Sequence, residues 1–297
     1  MSIIKQLSEI KNLPTLPEVV LRIQELIMSE EGNAALLARI IKQDPPLTAK
    51  ILNVANSTFY CSADRKISSV SQAITRIGFN EIGHIALAVN YIRQFSHKSN
   101  VLDYHSFWIH ALTSGYLCSL IAENNCSGLF SPADHHHLFV SGLLHDLGIL
   151  VYDQFFHSYF ERIIDQAVKK EIPFLVAEKD ITPMELHGLI GSILLEQWKI
   201  DRRVVAAVRF HHAPDNASEQ FRHYAFATYL SEYYLCNMIL GSFEGSMVHN
   251  NSSALDELQM SHEIMVDLLQ QAQAEVEHSD LLCAMDSTGS YSHLKNI

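Results

Sequence analysis

Four histidine positions, each on the apolar stripe of a different helix-forming segment, constrain this chain more than any other feature: His110, His145, His187 and the doublet His211-His212. His145 is followed directly by Asp146 inside the apolar run Gly142-Leu143-Leu144-His145-Asp146-Leu147-Gly148. Residues three, four and seven apart share a helix face. By that rule His110 stands with Phe107, Ser114 and Leu117, His187 with Ile190 and Leu194, and His211 with Val204 and Val208. Burying such groups without partners costs roughly 1 to 3 kcal/mol each. The fold must therefore bring these helices together around something that satisfies the imidazoles and the carboxylate.

Helical periodicity runs from end to end and strand signals are nearly absent, so the fold class is all-α, as two packed helical bundles. Asn33 and Asp44 are placed to cap the helices that follow them, and Asp201 to cap one reaching His211. Gly78 closes the helix Val70 to Ile77 as a left-handed cap. Ser131 to Tyr152 reads as one continuous helix, and Thr182-Pro183-Met184-Glu185 as a capping box that starts another. The polar stretch Ser96 to Asn100 marks the main boundary. We read residues 1–100 as an N-terminal helical bundle and 101–240 as a second helical domain. Residues 241–297 read as a loop, an amphipathic helix (Ser261 to about Glu277) and a disordered tail.

A net charge of -12 argues against a nucleic-acid surface, which needs a basic stripe. No apolar run is long enough for a membrane span and no secretory signal opens the chain. The five cysteines are odd in number and never spaced as CxxC, so they read as reduced thiols in a cytoplasmic protein.

A lone histidine on an apolar face is usually a satisfied core residue. Several converging positions beside an aspartate point instead to metal ligation by His110, His145, Asp146, His187, His211 and His212. Imidazole and carboxylate suit one or two divalent ions of zinc, iron, manganese or nickel, and ligand chemistry alone does not choose among them. The run His135-His136-His137 and the isolated His84 are expected at the surface.

The order His110, His145-Asp146, His187, His211-His212 resembles the HD superfamily of metal-dependent phosphohydrolases and its HD-GYP branch, whose members hydrolyse cyclic dinucleotides. Leu16-Pro17, then Asp44-Pro45-Pro46 through Asn56-Ser57, then Ala73 to Gly78, is similar to the HDOD family, the HD-related output domains of bacterial signalling proteins. The resemblance makes the first bundle one of HDOD type and the second an HD-like domain, with His145 and Asp146 as the catalytic pair if activity is kept. HD hydrolases usually take a last acidic ligand from the helix after the double histidine. Here that helix has no aspartate; Thr228 stands near the expected place and Glu232 one turn beyond. The Gly-Tyr-Pro signature is also missing. A lost carboxylate would weaken the centre.

The leading expectation is thus a regulatory module, stand-alone and open to oligomer formation, that acts by binding a signalling protein or a nucleotide and keeps a residual metal site. The alternative is a metal-dependent phosphohydrolase acting on a phosphoester or cyclic dinucleotide, with Lys169-Lys170, Arg202-Arg203 and Arg209 as candidate phosphate contacts. A third is a redox or oxygen-sensing iron site.

Overall fold

The computed structural model describes residues 3–10, 15–29, 32–56, 67–95, 101–125, 128–131, 134–183, 186–238 and 252–278. Every regular element among them is helical. The chain divides into two compact units, one built from residues 1–15 and 97–273 and the other from 16–96 and 274–297.

The chain enters the first unit with the short helix α1 (Ile3–Glu9). The second unit follows, with α2 (Glu18–Met28), α3 (Ala34–Lys42), α4 (Pro45–Ala55), α5 (Val70–Ile77) and α6 (Phe79–Gln94). Local chemistry sets these ends. The Asn33 side chain accepts from the Leu36 N–H at 2.9 Å, and Asp44 from the Leu47 N–H at 3.0 Å. Asp44 also takes an ion pair from Arg93 at 2.9 Å, which ties α4 to α6. Gly78 ends α5 at φ 110° and ψ 156°, a positive-φ backbone open to glycine but more extended than the left-handed cap expected. Asn56 accepts from the Ile67 N–H and donates to the Ile67 carbonyl, both at 2.7 Å, so one amide stands in for a strand partner. His84 on α6 is buried, contrary to its expected surface place, because α6 is apolar on nearly every side.

The first unit resumes with α7 (Tyr104–Asn124), α8 (Asp134–Leu144), α9 (Leu147–Phe155), α10 (His157–Lys170), α11 (Phe174–Ile181), α12 (His187–Gln197) and α13 (Arg202–Phe210). Two single-turn 3-10 helices, Pro214–Asn216 and Glu219–Phe221, lead into α14 (Arg222–Met238), then α15 (Ser252–Leu258) and α16 (His262–His278). Three boundaries differ from the sequence reading. The helix expected from Ser131 to Tyr152 breaks at His145-Asp146, a turn between α8 and α9. Thr182 does not start a helix: it closes α11 through its N–H to the Glu178 carbonyl, α12 starts at His187, and Met184 and Glu185 of the expected capping box lie outside the described residues. Residues 252–258, between the start of the expected loop at 241 and the expected helix at Ser261, form α15, and the tail expected to be disordered lies outside the described residues.

Close packing at two glycines fixes the approach of the helices. A Cβ on Gly142 would sit 2.4 Å from the Ser114 carbonyl oxygen, so α8 lies directly on α7. One on Gly148 would sit 2.0 Å from the His187 carbonyl oxygen, which presses α9 against the start of α12.

Candidate metal centre

All six residues picked out in the sequence meet in the first unit. His110 comes from the middle of α7, His145 and Asp146 from the turn after α8, His187 from the first position of α12, and His211 and His212 from the turn after α13. They form two adjoining groups, His110–His145–Asp146 and His187–His211–His212, in each of which the donor atoms lie within 4.8 Å of one another.

Ring orientation is decided by what each Nδ1 touches. His145 Nδ1 is 2.7 Å from the Gly142 carbonyl oxygen, and His211 Nδ1 is 2.6 Å from that of Val208. A carbonyl can only accept, so both rings carry their proton on Nδ1. His187 Nδ1 donates to the Glu178 carboxylate at 2.8 Å, and the His187 backbone N–H donates to the same group. In the neutral rings the Nε2 lone pairs therefore face inward, on to Asp146.

There the atoms are crowded. His110 and His145 present Nε2 atoms 3.2 Å apart, and His187 Nε2 is 3.1 Å from that of His211 and 3.0 Å from that of His212. Asp146 Oδ2 is 3.0 Å from His145 Nε2, and Asp146 Oδ1 is 3.4 Å from His187 Nε2. Facing lone pairs repel unless a proton or a cation lies between them. Ligands at about 2.0–2.1 Å from one ion are themselves about 3 Å apart when they sit at right angles. The spacing fits that pattern. Asp146 Oδ1 and Glu232 Oε2 are buried and have no partner in hydrogen-bond geometry, which is what carboxylate oxygens aimed at an ion look like.

Glu232 corrects the expectation of a missing acidic ligand. Its Oε2 is 2.9 Å from His110 Nε2 and 3.2 Å from His145 Nε2, and its side chain is fully buried. Thr228, the nearer match by position, instead turns its hydroxyl to the Tyr224 carbonyl of its own helix. Glu232, one turn further along the same face of α14, is the acidic group that meets His110 and His145. Glu178 was not picked out at all. Its only sequence signal is an acid among the buried Phe174, Leu175 and Ala177 of α11.

Charge balance points the same way. Among the described residues no Lys or Arg pairs with Asp146, Glu178 or Glu232; their ion-pair partners are all imidazoles. Burial by itself would depress the His145 pKa, yet Asp146 and Glu232 hold it well above the usual imidazole value. His110 is likewise raised against its burial, chiefly by Glu232. Burial would raise the Asp146 and Glu232 carboxyls, but the facing histidines keep both well below their ordinary range. His212 goes the other way, down to about 3, because it is buried and faces His187. The carboxylates thus call for positive charge in the cluster, and a divalent ion supplies it without protonating ligands.

The candidate phosphate contacts are elsewhere. Lys169 pairs with Asp165, Lys170 with Asp180 at 3.5 Å, Arg209 with Glu196 at 4.0 Å and Arg203 with Asp201 and Asp134. Of the His135-His136-His137 run, only His135 is appreciably open; His136 and His137 are buried in α8.

The HDOD domain model matches residues 13–214. The chain belongs to the HDOD family. Its sequence is 23% identical over 214 residues to an uncharacterized protein of Treponema pallidum (strain Nichols), a match that covers 72% of this chain but 40% of that relative. The chain therefore spans about two fifths of the length of the curated relative it matches. An HDOD domain protein of unknown function from Geobacter sulfurreducens superposes with a TM-score of 0.80 at 23% identity, covering 94% of this chain and 96% of that one. A Marinobacter aquaeolei VT8 protein provisionally named for signal transduction gives 0.77 at 22% identity, covering 96% and 61%. A Shewanella amazonensis SB2B protein provisionally named a phosphohydrolase gives 0.66 at 17%, covering 95% and 97%. At these identities the likeness establishes a shared all-α HDOD and HD-type fold. No helix among the described residues is long and apolar enough to cross a membrane.

Proposed function

We propose that this HDOD protein is a regulatory module whose HD-like half holds one or two divalent ions, and that it acts in bacterial signalling by binding a protein partner or a nucleotide. One observation carries the metal: three imidazoles have Nδ1 committed to Gly142, Val208 and Glu178, leaving their Nε2 atoms to converge beside the buried Asp146. Family membership supports the regulatory role. His110, His145, Asp146 and Glu232 would hold one ion, and His187, His211 and His212 a second, with Asp146 between the groups. Inductively coupled plasma analysis of untagged protein tests this: the reading expects at least one equivalent of Zn, Fe, Mn or Ni, and an Asp146→Ala protein depleted of it. Metal-free wild-type protein that stays empty when offered each ion would sink it.

Phosphoester hydrolysis is a second reading, favoured by Glu232, which restores the acidic group whose apparent loss argued against catalysis. A bound divalent ion would supply Lewis acidity and positive charge toward a phosphoryl group. The chain's own residues would orient it: Glu178 holds His187 in one tautomer, Asp146 and Glu232 balance the charge, and the partly open His110 and His212 mark the accessible side of the centre. Assays on bis-p-nitrophenyl phosphate and on cyclic dinucleotides decide between the two. Turnover lost in both Asp146→Ala and Glu232→Ala makes the protein a hydrolase; metal-loaded protein without turnover leaves it a module that works by binding.

A further inference from the structure

Asp134, the first residue of α8, is 6% exposed and takes hydrogen bonds from four donors. Its Oδ2 accepts from the Ser131 N–H and hydroxyl, both at 2.7 Å; its Oδ1 accepts from Arg203 Nη1 at 3.1 Å and from the Tyr224 hydroxyl. Arg203 in turn grips Asp201, the cap of α13, with Nε on Oδ1 at 2.9 Å and Nη2 on Oδ2 at 3.1 Å. A polar clasp thus joins the beginnings of α8, α13 and α14, which come from three separate parts of the chain and pack pairwise against one another.

The same three helices carry candidate ligands two to three turns further along the chain. His145 follows Asp134 by eleven residues, His211 follows Arg203 by eight, and Glu232 follows Tyr224 by eight. At 1.5 Å per residue those are spans of about 16, 12 and 12 Å. A helix is stiff along its axis, so a slip of about 1 Å at the clasp reaches the ligand undiminished. That slip is about half of a metal–ligand distance near 2.1 Å.

We infer that the Asp134–Arg203–Tyr224 clasp is a positioning device, which sets the axial register of three ligand-bearing helices and so tunes metal affinity at the centre from two to three turns away. The inference rests on the metal reading above. Coupling of this kind passes through rigid packed elements and needs no contact with the ion.

The test uses the full chain, stripped of metal and titrated calorimetrically with Mn(II) and Zn(II). Tyr224→Phe removes one hydroxyl and Arg203→Lys removes the fork; Arg202→Ala, on the same turn but outside the clasp, is the control. Circular dichroism and the Tm of the metal-free proteins are recorded alongside. The expected result is a folded Tyr224→Phe protein with affinity lowered about tenfold, the scale seen when groups behind metal ligands are lost. Arg203→Lys should match it, the double variant should be little worse than either single, and the control should bind as wild type does. Should Arg203→Lys fail to fold, Tyr224→Phe decides alone. Folded variants that bind as tightly as wild type, whatever their Tm, overturn the clasp and leave the metal reading standing. Wild-type protein that takes up neither of these ions, nor Fe(II) or Ni(II) when offered them, overturns both.

Discussion

Glu232 Oε2 lies 2.9 Å from His110 Nε2, joining the seventeen-residue helix α14 to α7 through a fully buried carboxylate and a partly open imidazole. This pair makes the cluster a closed ligand set. Glu232→Gln keeps the volume and removes the charge, so metal binding should weaken by at least about tenfold. Glu232→Asp should lose as much, since the shorter side chain withdraws from His110. Isothermal titration with Mn(II) checks both, and unchanged affinity in Glu232→Gln would remove this residue from the site.

Glu178 acts one shell behind. Its carboxylate takes both the Nδ1 and the backbone N–H of His187, so Glu178→Ala frees the ring to rotate and to change tautomer. We expect a 10- to 100-fold loss of metal affinity, in the range of about one to two powers of ten for such partners. Glu178→Gln should fall in between, because its single acceptor oxygen serves one of the two donors. The readout is metal stoichiometry after dialysis at a fixed free-ion concentration.

Gly148→Ala tests the helix contact. The new methyl would sit 2.0 Å from the His187 carbonyl oxygen, and backbone cannot yield as a flexible side chain does. Forcing extra volume into such a contact costs about 1 to 3 kcal/mol. A drop in Tm together with metal loss is expected, since the segment pushed away carries His187. A Tm within a degree of wild type would contradict the close approach.

Acid sensitivity should come partly from His136, outside the metal cluster. Burial, with His135 and His137 beside it, lowers its pKa to about 4. The unfolded value is about 6.5, so the native state binds fewer protons between these limits and stability falls as pH drops from about 6.5 to 4. The full shift corresponds to at most about 3 kcal/mol. His136→Asn should flatten that slope, with stability at pH 4.5 rising relative to the value at pH 7; chemical denaturation at the two pH values gives the comparison. An unchanged slope would mean that His136 is not a source of it.

In the other unit, Asn56→Ala should cost about 1 to 3 kcal/mol, because it strands the backbone N–H and carbonyl of Ile67 together. Asn56→Asp keeps the acceptor but sets a charged oxygen against the Leu52 and Ile67 carbonyls, so its cost should be at least as large. Thermal melts of the two variants rank them, and the reverse order would be inconsistent with the amide bridge.

The sequence by itself determined what is periodic and what is local. Apolar stripes of period 3.6 specified helices, and Asn33, Asp44 and Asp201 marked their starts, because a cap bonds only two or three residues ahead. The same stripes marked His110, His145, His187 and His211 as inward-facing, since a helix face follows from spacing alone. Tertiary structure decided the rest. Whether Thr228 or Glu232 reaches His110 depends on how α14 lies against α7. Glu178 touches His187 only after α11 and α12 are brought together across Thr182 to Leu186, so no spacing announces it. His136 is buried because α7, α13 and α14 pack around α8, a property of its neighbours and not of its own sequence. Contacts between helices depend on axial register and crossing angle, which no single stripe encodes.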